Sequence, residues 1–277
     1  MIDTHIHLDE EAYAADREEV IRRQREKGVE AMLVPGVNAA SIEPVLDVCR
    51  RHKDCCYPAL GFHPQDITPE WKSDWTKIEQ AIRENRQELV AIGEIGLDYH
   101  YEPTYKAEQE EAFRTQLKLA LELDLPVMIH NRDATEDTLK ILRDFQVYGV
   151  QCKVYKSFSH GGPAVRGVVH CFNGSKETAE QILDMGLYLG IGGVLTFKNC
   201  KLGDQLRAIN SQRPDLLSRI VLETDGPYLA PTPHRGERNE SHLMIHVAER
   251  LAEVFGCTTE AIIEATNRNA KLLFGLK

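Results

Sequence analysis

Short apolar runs alternate along this chain with longer stretches whose apolar positions recur every three or four residues. The first pattern is that of buried strands and the second that of amphipathic helices. Strand-like runs fall at 2–7, 29–34, 56–61, 89–93, 126–130, 167–172, 187–191 and 219–224. Helical stretches separate them at about 16–27, 41–52, 74–85, 104–124, 133–144, 175–185 and 202–209. Two more, near 240–255 and 259–274, come after the last strand. In the long stretch 104–124, Phe113, Leu117, Ala120 and Leu121 make one stripe, and Pro126 stands just past its end. Asp133-x-x-Glu136 opens the next helix as a capping-box-like start.

No linker, composition break, internal repeat or low-complexity tract interrupts this order, so one domain over residues 1–277 is expected. Eight strand–helix units in a chain of this length predict an α/β fold of the closed (β/α)8 TIM barrel type. An open doubly wound sheet has the same periodicity, because periodicity does not report closure. The segment 146–166 is long for a connection between a helix and the next strand. Such connections lie on the N-terminal face of a barrel, away from chemistry, so His160 and its neighbouring lysines are expected to be peripheral surface.

Composition narrows the partners. No run approaches the ~20 consecutive apolar residues of a membrane span. His5, Asp9, Glu10 and Glu11 interrupt any signal-peptide-like start, so a cytoplasmic location is expected. The seven cysteines contain no C-x-x-C pair, which makes free, mostly buried thiols the expectation. The net charge of −10 matters more, because proteins that grip long nucleic acid carry a basic field. A phosphodiester substrate would have to be short and held by bound metal and a few arginines.

Candidate chemistry gathers at strand ends. Alternation along 2–7 puts Asp3, His5 and His7 on one face, and two imidazoles side by side suit a divalent metal. The fourth strand runs into Glu94, the fifth into His130, the sixth into His170 and the eighth into Glu223-Thr224-Asp225. Counting by twos groups Val90, Ile92 and Glu94, then Val168 and His170, then Val221, Glu223 and Asp225. Singly, each has a bland explanation: His130 as a satisfied structural histidine, Asp225 before Gly226-Pro227 as a turn residue. Together, His5, His7, Glu94, His130, His170 and Asp225 match a site for two divalent ions with a carboxylate to bridge them.

These residues sit within Asp3-Thr-His-Ile-His-Leu8, Gly61-Phe-His-Pro64, Gly93-Glu-Ile-Gly-Leu-Asp-Tyr99, His130-Asn-Arg132, His170-Cys-Phe-Asn-Gly174, Glu223-Thr-Asp-Gly-Pro-Tyr-Leu229 and Arg235-Gly-Glu-Arg-Asn-Glu240. That set resembles the motifs of the TatD-related DNases, metal-dependent hydrolases of the amidohydrolase-like barrel group, over essentially the whole chain. The resemblance implies a (β/α)8 barrel, two divalent ions, and hydrolysis of DNA phosphodiesters, often from the 3′ end. It places His5, His7, Glu94, His130, His170 and Asp225 on metal-ligand positions and a phosphate contact at His63. The chain departs from the family pattern at Ser241, where a proline usually comes after the Arg-Asn-Glu run, and in the insertion around 151–162.

The expected mechanism is two-metal hydrolysis. His5, His7 and Asp225 would hold one ion, His130 and His170 the other, with Glu94 bridging and Asp225 also taking the water's proton. Mixed ligation of this kind accepts Mg, Mn or Zn and does not name the metal. Glu223 and Asp3 read as orienters of ligand histidines or as structural hydrogen bonders. Arg132, Arg235 and Arg238 are candidate phosphate clamps, and Phe172, Tyr99 and Tyr228 candidate base-stacking residues. The expected partner is DNA, as short single strands or 3′ ends; the oligomeric state is not legible. The competing reading is metal-dependent ester or amide hydrolysis, such as deacylation of an aminoacyl-RNA, since the same site activates water against a carbonyl. A non-catalytic binding barrel is disfavoured by the complete ligand set.

Overall fold

Eight short parallel strands stand side by side in chain order: β1 (Ile2–Asp3), β2 (Ala31–Gly36), β3 (Cys56–Leu60), β4 (Ala91–Asp98), β5 (Val127–Arg132), β6 (Gly167–Val169), β7 (Tyr188–Ile191) and β8 (Ile220–Leu222). They come from a computed structural model that describes residues 1–101, 103–151 and 164–277. His160 and all but the first residue of the 151–162 segment lie outside the described residues. The helices are α1 (Glu11–Ala14), α2 (Arg17–Glu26), α3 (Ile42–Arg51), α4 (Trp71–Glu84), α5 (Lys106–Leu123), α6 (Thr135–Gln151), α7 (Lys176–Asp184), α8 (Leu202–Asn210), α9 (Met244–Phe255) and α10 (Thr259–Phe274).

The eight strands form a (β/α)8 TIM barrel, as the alternation predicts. The seam between β8 and β1 is closed by backbone hydrogen bonds just beyond the two strands. Thr4 N–H donates to Leu222 O (3.0 Å), Asp225 N–H to His5 O (2.9 Å) and His7 N–H to Gly226 O (2.8 Å). The buried Asp3 carboxylate reinforces the seam, accepting from Thr224 N–H (3.0 Å), Thr224 Oγ (2.7 Å), Ser241 Oγ (2.7 Å) and His5 N–H (3.2 Å). The expected continuous strand over 2–7 is therefore interrupted. The chain bends at Thr4, and Asp3 is spent on the seam while His5 and His7 continue into the barrel mouth. Burial raises the Asp3 pKa to about 7, against the lowering effect of those donors.

Inside the barrel, Ile2, Leu33, Ala59, Ala91, Met128, Val168 and Val221 form one apolar layer with Ala270, Leu273 and Phe274 of α10 across its N-terminal end. This layer explains how Glu94 reaches the site. Ala91 belongs to it, whereas Ile92 packs in the outer core between strands and helices. By strict alternation Glu94 would point outward with Ile92. Pairing instead jumps from Ile92↔Val127 to Ile95↔Ile129, so β4 carries one extra residue there. Such a bulge reverses the facing of the residues beyond it and turns Glu94 inward. The expected grouping of Ile92 with Glu94 is corrected by this bulge. β4 also runs on to Asp98, well past the end the apolar run suggests.

Two glutamines on the buried face of α5, seven residues and so two helical turns apart, fix strand ends in place. Gln116 accepts from Phe62 N–H (2.7 Å) and donates to Phe62 O (3.1 Å), just beyond β3. Gln109 makes the same two-point clamp on Asp98 at the end of β4 (2.9 and 3.0 Å).

Gly96 has φ +146°, and a Cβ there would lie 2.0 Å from His130 O. Replacing it should force β4 and β5 apart where they carry Glu94 and His130. Gly96→Ala is expected to cost about 3 kcal/mol in urea unfolding, from backbone strain plus overpacking. A loss below the usual surface range would show that the two strands can separate freely there.

Candidate metal centre

Glu94, buried in the barrel mouth, is ringed by five imidazoles carried on the strand ends. Oε2 faces the first pair, at 3.3 Å from His5 Nε2 and 3.7 Å from His7 Nε2. Oε1 faces the other three, at 2.7 Å from His130 Nδ1, 3.0 Å from His170 Nε2 and 3.4 Å from His63 Nε2. Asp225 lies just past β8 in the left-handed region (φ 59°) and points Oδ1 at His7 Nε2 (3.6 Å) and His5 Nε2 (3.8 Å). Three combinations, His5/His7/Glu94, His5/His170/Asp225 and His63/Glu94/His130, each bring ligand atoms within 4.8 Å of one another. Imidazole and carboxylate donors in this arrangement suit divalent ions. Two buried nitrogens, His5 Nδ1 and His170 Nδ1, have no hydrogen-bond partner.

The charges of the cluster are strongly coupled. Burial alone would raise the Glu94 pKa, yet His63, His170 and His5 hold it well below the usual carboxylate range. Asp225 is lowered in the same way, chiefly by its hydrogen bond from His7. Burial opposes charge on His7, but Asp225 and Glu94 prevail and raise it to about 9. His5 is lowered, by burial and by repulsion from His170, while His170 is raised by Glu94 and Glu223 against its burial. An ion entering this cluster would displace protons from imidazoles and replace their charge with its own.

Each histidine's free face shows what its inward nitrogen can do. Gln65 N–H donates to His63 Nδ1 (3.1 Å), which leaves the proton of the neutral ring on Nε2. His63 therefore aims a donor, not a lone pair, at the centre. His130 is engaged at both nitrogens: Nε2 meets Asp98 Oδ2 at 3.0 Å and Nδ1 meets Glu94 Oε1 at 2.7 Å. The charged ring thus donates to a carboxylate on each side, and Nδ1 would offer a lone pair once an entering ion displaced its proton. Asp98 is itself fixed by Gln65 Nε2 (2.8 Å) and His100 N–H (2.9 Å). Glu223, fully buried, stands behind His170, with Oε1 3.6 Å from Nδ1 and accepting from Cys171 N–H. Gly190 makes room for it, since a Cβ there would lie 2.1 Å from Glu223 Oε2.

Asp98 is a site residue that sequence reasoning misses. Its signal is the two-residue step from Glu94 through Gly96, hidden because the apolar run of β4 stops at the bulge. The candidate substrate residues divide. Arg132 and Phe172 line a cavity of about 560 Å³ together with His130, His170, Asp225 and His100. Arg132 lies over the Tyr101 ring at 4.7 Å. Arg238 is instead held by both Asp16 oxygens (2.7 Å each) and by Glu240 (2.9 Å), outside that cavity. Arg235 stacks on Phe197 at 3.7 Å, Tyr99 OH meets Asp137 (3.1 Å), and Tyr228 OH meets Glu10 (2.8 Å). A larger groove of about 770 Å³ runs along α10 beside Glu30 and contains none of these residues.

This geometry makes two outcomes testable. Glu223→Gln should weaken divalent-ion binding about 10–100-fold, the usual effect of removing a carboxylate behind a ligand histidine. Gly190→Ala, which invades the same space, should do likewise; unaltered affinity in both would detach Glu223 from the metal centre. Because His7 holds its proton up to about pH 9, ion uptake must compete with protonation below that pH. Apparent affinity should thus rise with pH by about tenfold per unit for each proton displaced. Calorimetry in buffers of differing ionisation enthalpy checks this, and uptake without proton release between pH 6 and 9 would contradict it.

Known proteins share this chain's sequence and shape. The profile of the family described as TatD related DNase matches residues 2–275. The uncharacterized metal-dependent hydrolase YabD of Bacillus subtilis (strain 168) is 39% identical over 274 residues, covering 99% of this chain and 98% of its own. A protein of Pantoea ananatis (strain LMG 20103) named 3'-5' ssDNA/RNA exonuclease TatD is 35% identical over 280 residues, with 100% of each chain covered. The crystal structure of YJJV, a TatD homologue from Escherichia coli K12, superposes with a TM-score of 0.86 at 27% identity, over 100% of this chain and 98% of that one. The chain belongs to the TatD-related DNase family of metal-dependent hydrolases.

Proposed function

We propose that this protein removes nucleotides from the 3′ ends of short single-stranded DNA by metal-dependent phosphodiester hydrolysis. The observation that carries the reading is the division of Glu94 between two groups of histidines, Oε2 to His5 and His7, Oε1 to His130 and His170. In this reading His5, His7 and Asp225 hold one divalent ion (Mg, Mn or Zn), His130 and His170 a second, and Glu94 is shared. Such a pair of ions, when bound, lowers the pKa of water and neutralises charge on the attacking and leaving oxygens. The names of relatives such as the Pantoea exonuclease point to the same substrate class and polarity.

The protein's own groups supply the rest. Asp225, kept ionised by His7, accepts the proton of the attacking water at Oδ, a role worth roughly 10²–10⁴ in rate. His63 donates its Nε2 proton to a phosphate oxygen, stabilising charge as it develops. Arg132, at the cavity edge, offers a planar cation to the adjoining phosphate. A cavity of about 560 Å³ has the scale of a pocket for one small molecule, which suits a terminal nucleotide. The net charge of −10 repels a long duplex, in keeping with a short substrate.

The test uses protein stripped with chelator, reloaded separately with Mg²⁺, Mn²⁺ or Zn²⁺, and given 5′-labelled single-stranded DNA. A ladder shortening from the 3′ end, absent in His5→Ala and reduced about 10²-fold or more in Asp225→Asn, is expected. Metal binding without DNA cleavage, combined with turnover of ester or amide substrates, would overturn the phosphodiester reading.

A further inference from the structure

Two histidines on the outside of the barrel share an arrangement that the centre around Glu94 also displays. His234 lies in the long loop after β8, and His246 in the first turn of α9. Their rings face one another at 5.4 Å between centroids, tilted by 33°. Around Glu94, His5 and His7 stand at 5.0 Å and His130 and His170 at 5.8 Å, so the outer pair has a similar ring spacing.

Each outer ring has a carboxylate behind it. His234 Nδ1 meets Glu237 Oε2 at 2.9 Å, and His246 Nδ1 meets Glu249 Oε2 at 3.1 Å. Each is an i,i+3 contact, so the pairing is built into the local chain. A carboxylate accepts only, so Nδ1 of each ring is the protonated nitrogen. The lone pair of each neutral ring is then on Nε2, and no described group engages either Nε2 in a hydrogen bond or ion pair. A carboxylate holding Nδ1–H while Nε2 offers its lone pair is one of the arrangements that orient metal-ligating histidines. Here it occurs twice, on adjacent rings that are partly exposed to solvent (32% and 27%) and so open to an ion.

We propose that His234 and His246 form a further divalent-metal site, with Glu237 and Glu249 as the carboxylates that orient them and solvent completing the coordination. The site shares no residue with the candidate centre around Glu94. Two imidazole nitrogens select first-row ions such as Zn²⁺, Cu²⁺ or Ni²⁺ over Mg²⁺ or Ca²⁺, which prefer oxygen. The negative charge of the two glutamates favours any cation held there. An ion at this position ties the loop to α9. That same loop is bonded to the end of β8, where Asn239 Nδ2 donates to Thr224 O (2.8 Å) and Tyr228 O (2.7 Å).

Zinc bound per chain, measured by equilibrium dialysis on the full chain, tests the proposal. His234→Ala and His246→Ala should each bind one Zn²⁺ fewer than wild type, with circular dichroism and DNA cleavage unchanged. Glu237→Gln should keep the ion but bind it about tenfold more weakly. Cu²⁺ titrated to saturation should likewise reach a stoichiometry one ion higher in wild type than in either alanine variant. Equal zinc stoichiometry in wild type and both alanine variants would overturn the proposal. Equal copper stoichiometry in all three proteins would do the same.

Discussion

A buried carboxylate surrounded by imidazoles is the constraint on which the rest of this molecule depends. Glu94 cannot lose its charge to burial because three histidines hold it ionised, and those histidines cannot all stay neutral beside it. Such a cluster is costly to assemble from flexible parts, since every polar atom left unmet in the interior carries a penalty. Strand ends of a barrel solve the problem. Parallel strands bring residues distant in sequence to one rim, and the helices fix the height of each. The bulge in β4, the glutamine clamps from α5 and the glycine that admits Glu223 all serve to place groups against this one carboxylate.

The second organising feature is the seam. β1 and β8 are short, and the barrel closes there through hydrogen bonds from residues that have left the regular strands. Asp3 gathers its donors from His5 and Thr224, just beyond β1 and β8, and from Ser241. Ser241 thus has a structural role, since its hydroxyl supplies a donor to the Asp3 carboxylate. Arg23 and Arg238 brace the same loop by clasping Glu240 from two sides. Arg238 is therefore part of the scaffold beside the mouth and not of the cavity wall.

The barrel is legible in the sequence because alternating strand and helix patterns report their own periods, and the gathering of histidines and carboxylates around Glu94 is legible because they stand at the ends of those patterns. The hidden features depend on geometry that periodicity does not carry. Counting by twos through β4 reaches Glu94 only by misplacing Ile92, because the bulge adds a residue that no pattern announces. Asp98 lies beyond that bulge and outside the apparent strand. Gln109 and Gln116 look like interruptions of an apolar stripe until the backbone they grip is in view. Asp3, two residues from His5, shares its facing by simple alternation; the bend at Thr4 separates them.

The two glutamines have a mechanical consequence. One rigid helix holds the backbone beside His63, through Phe62, and the backbone of Asp98, which steadies His130. Any sliding or tilting of α5 would carry both strand ends with it. His63 and Asp98 would then be displaced together. α5 thus acts as a gauge bar that sets the height of one strand end against the other.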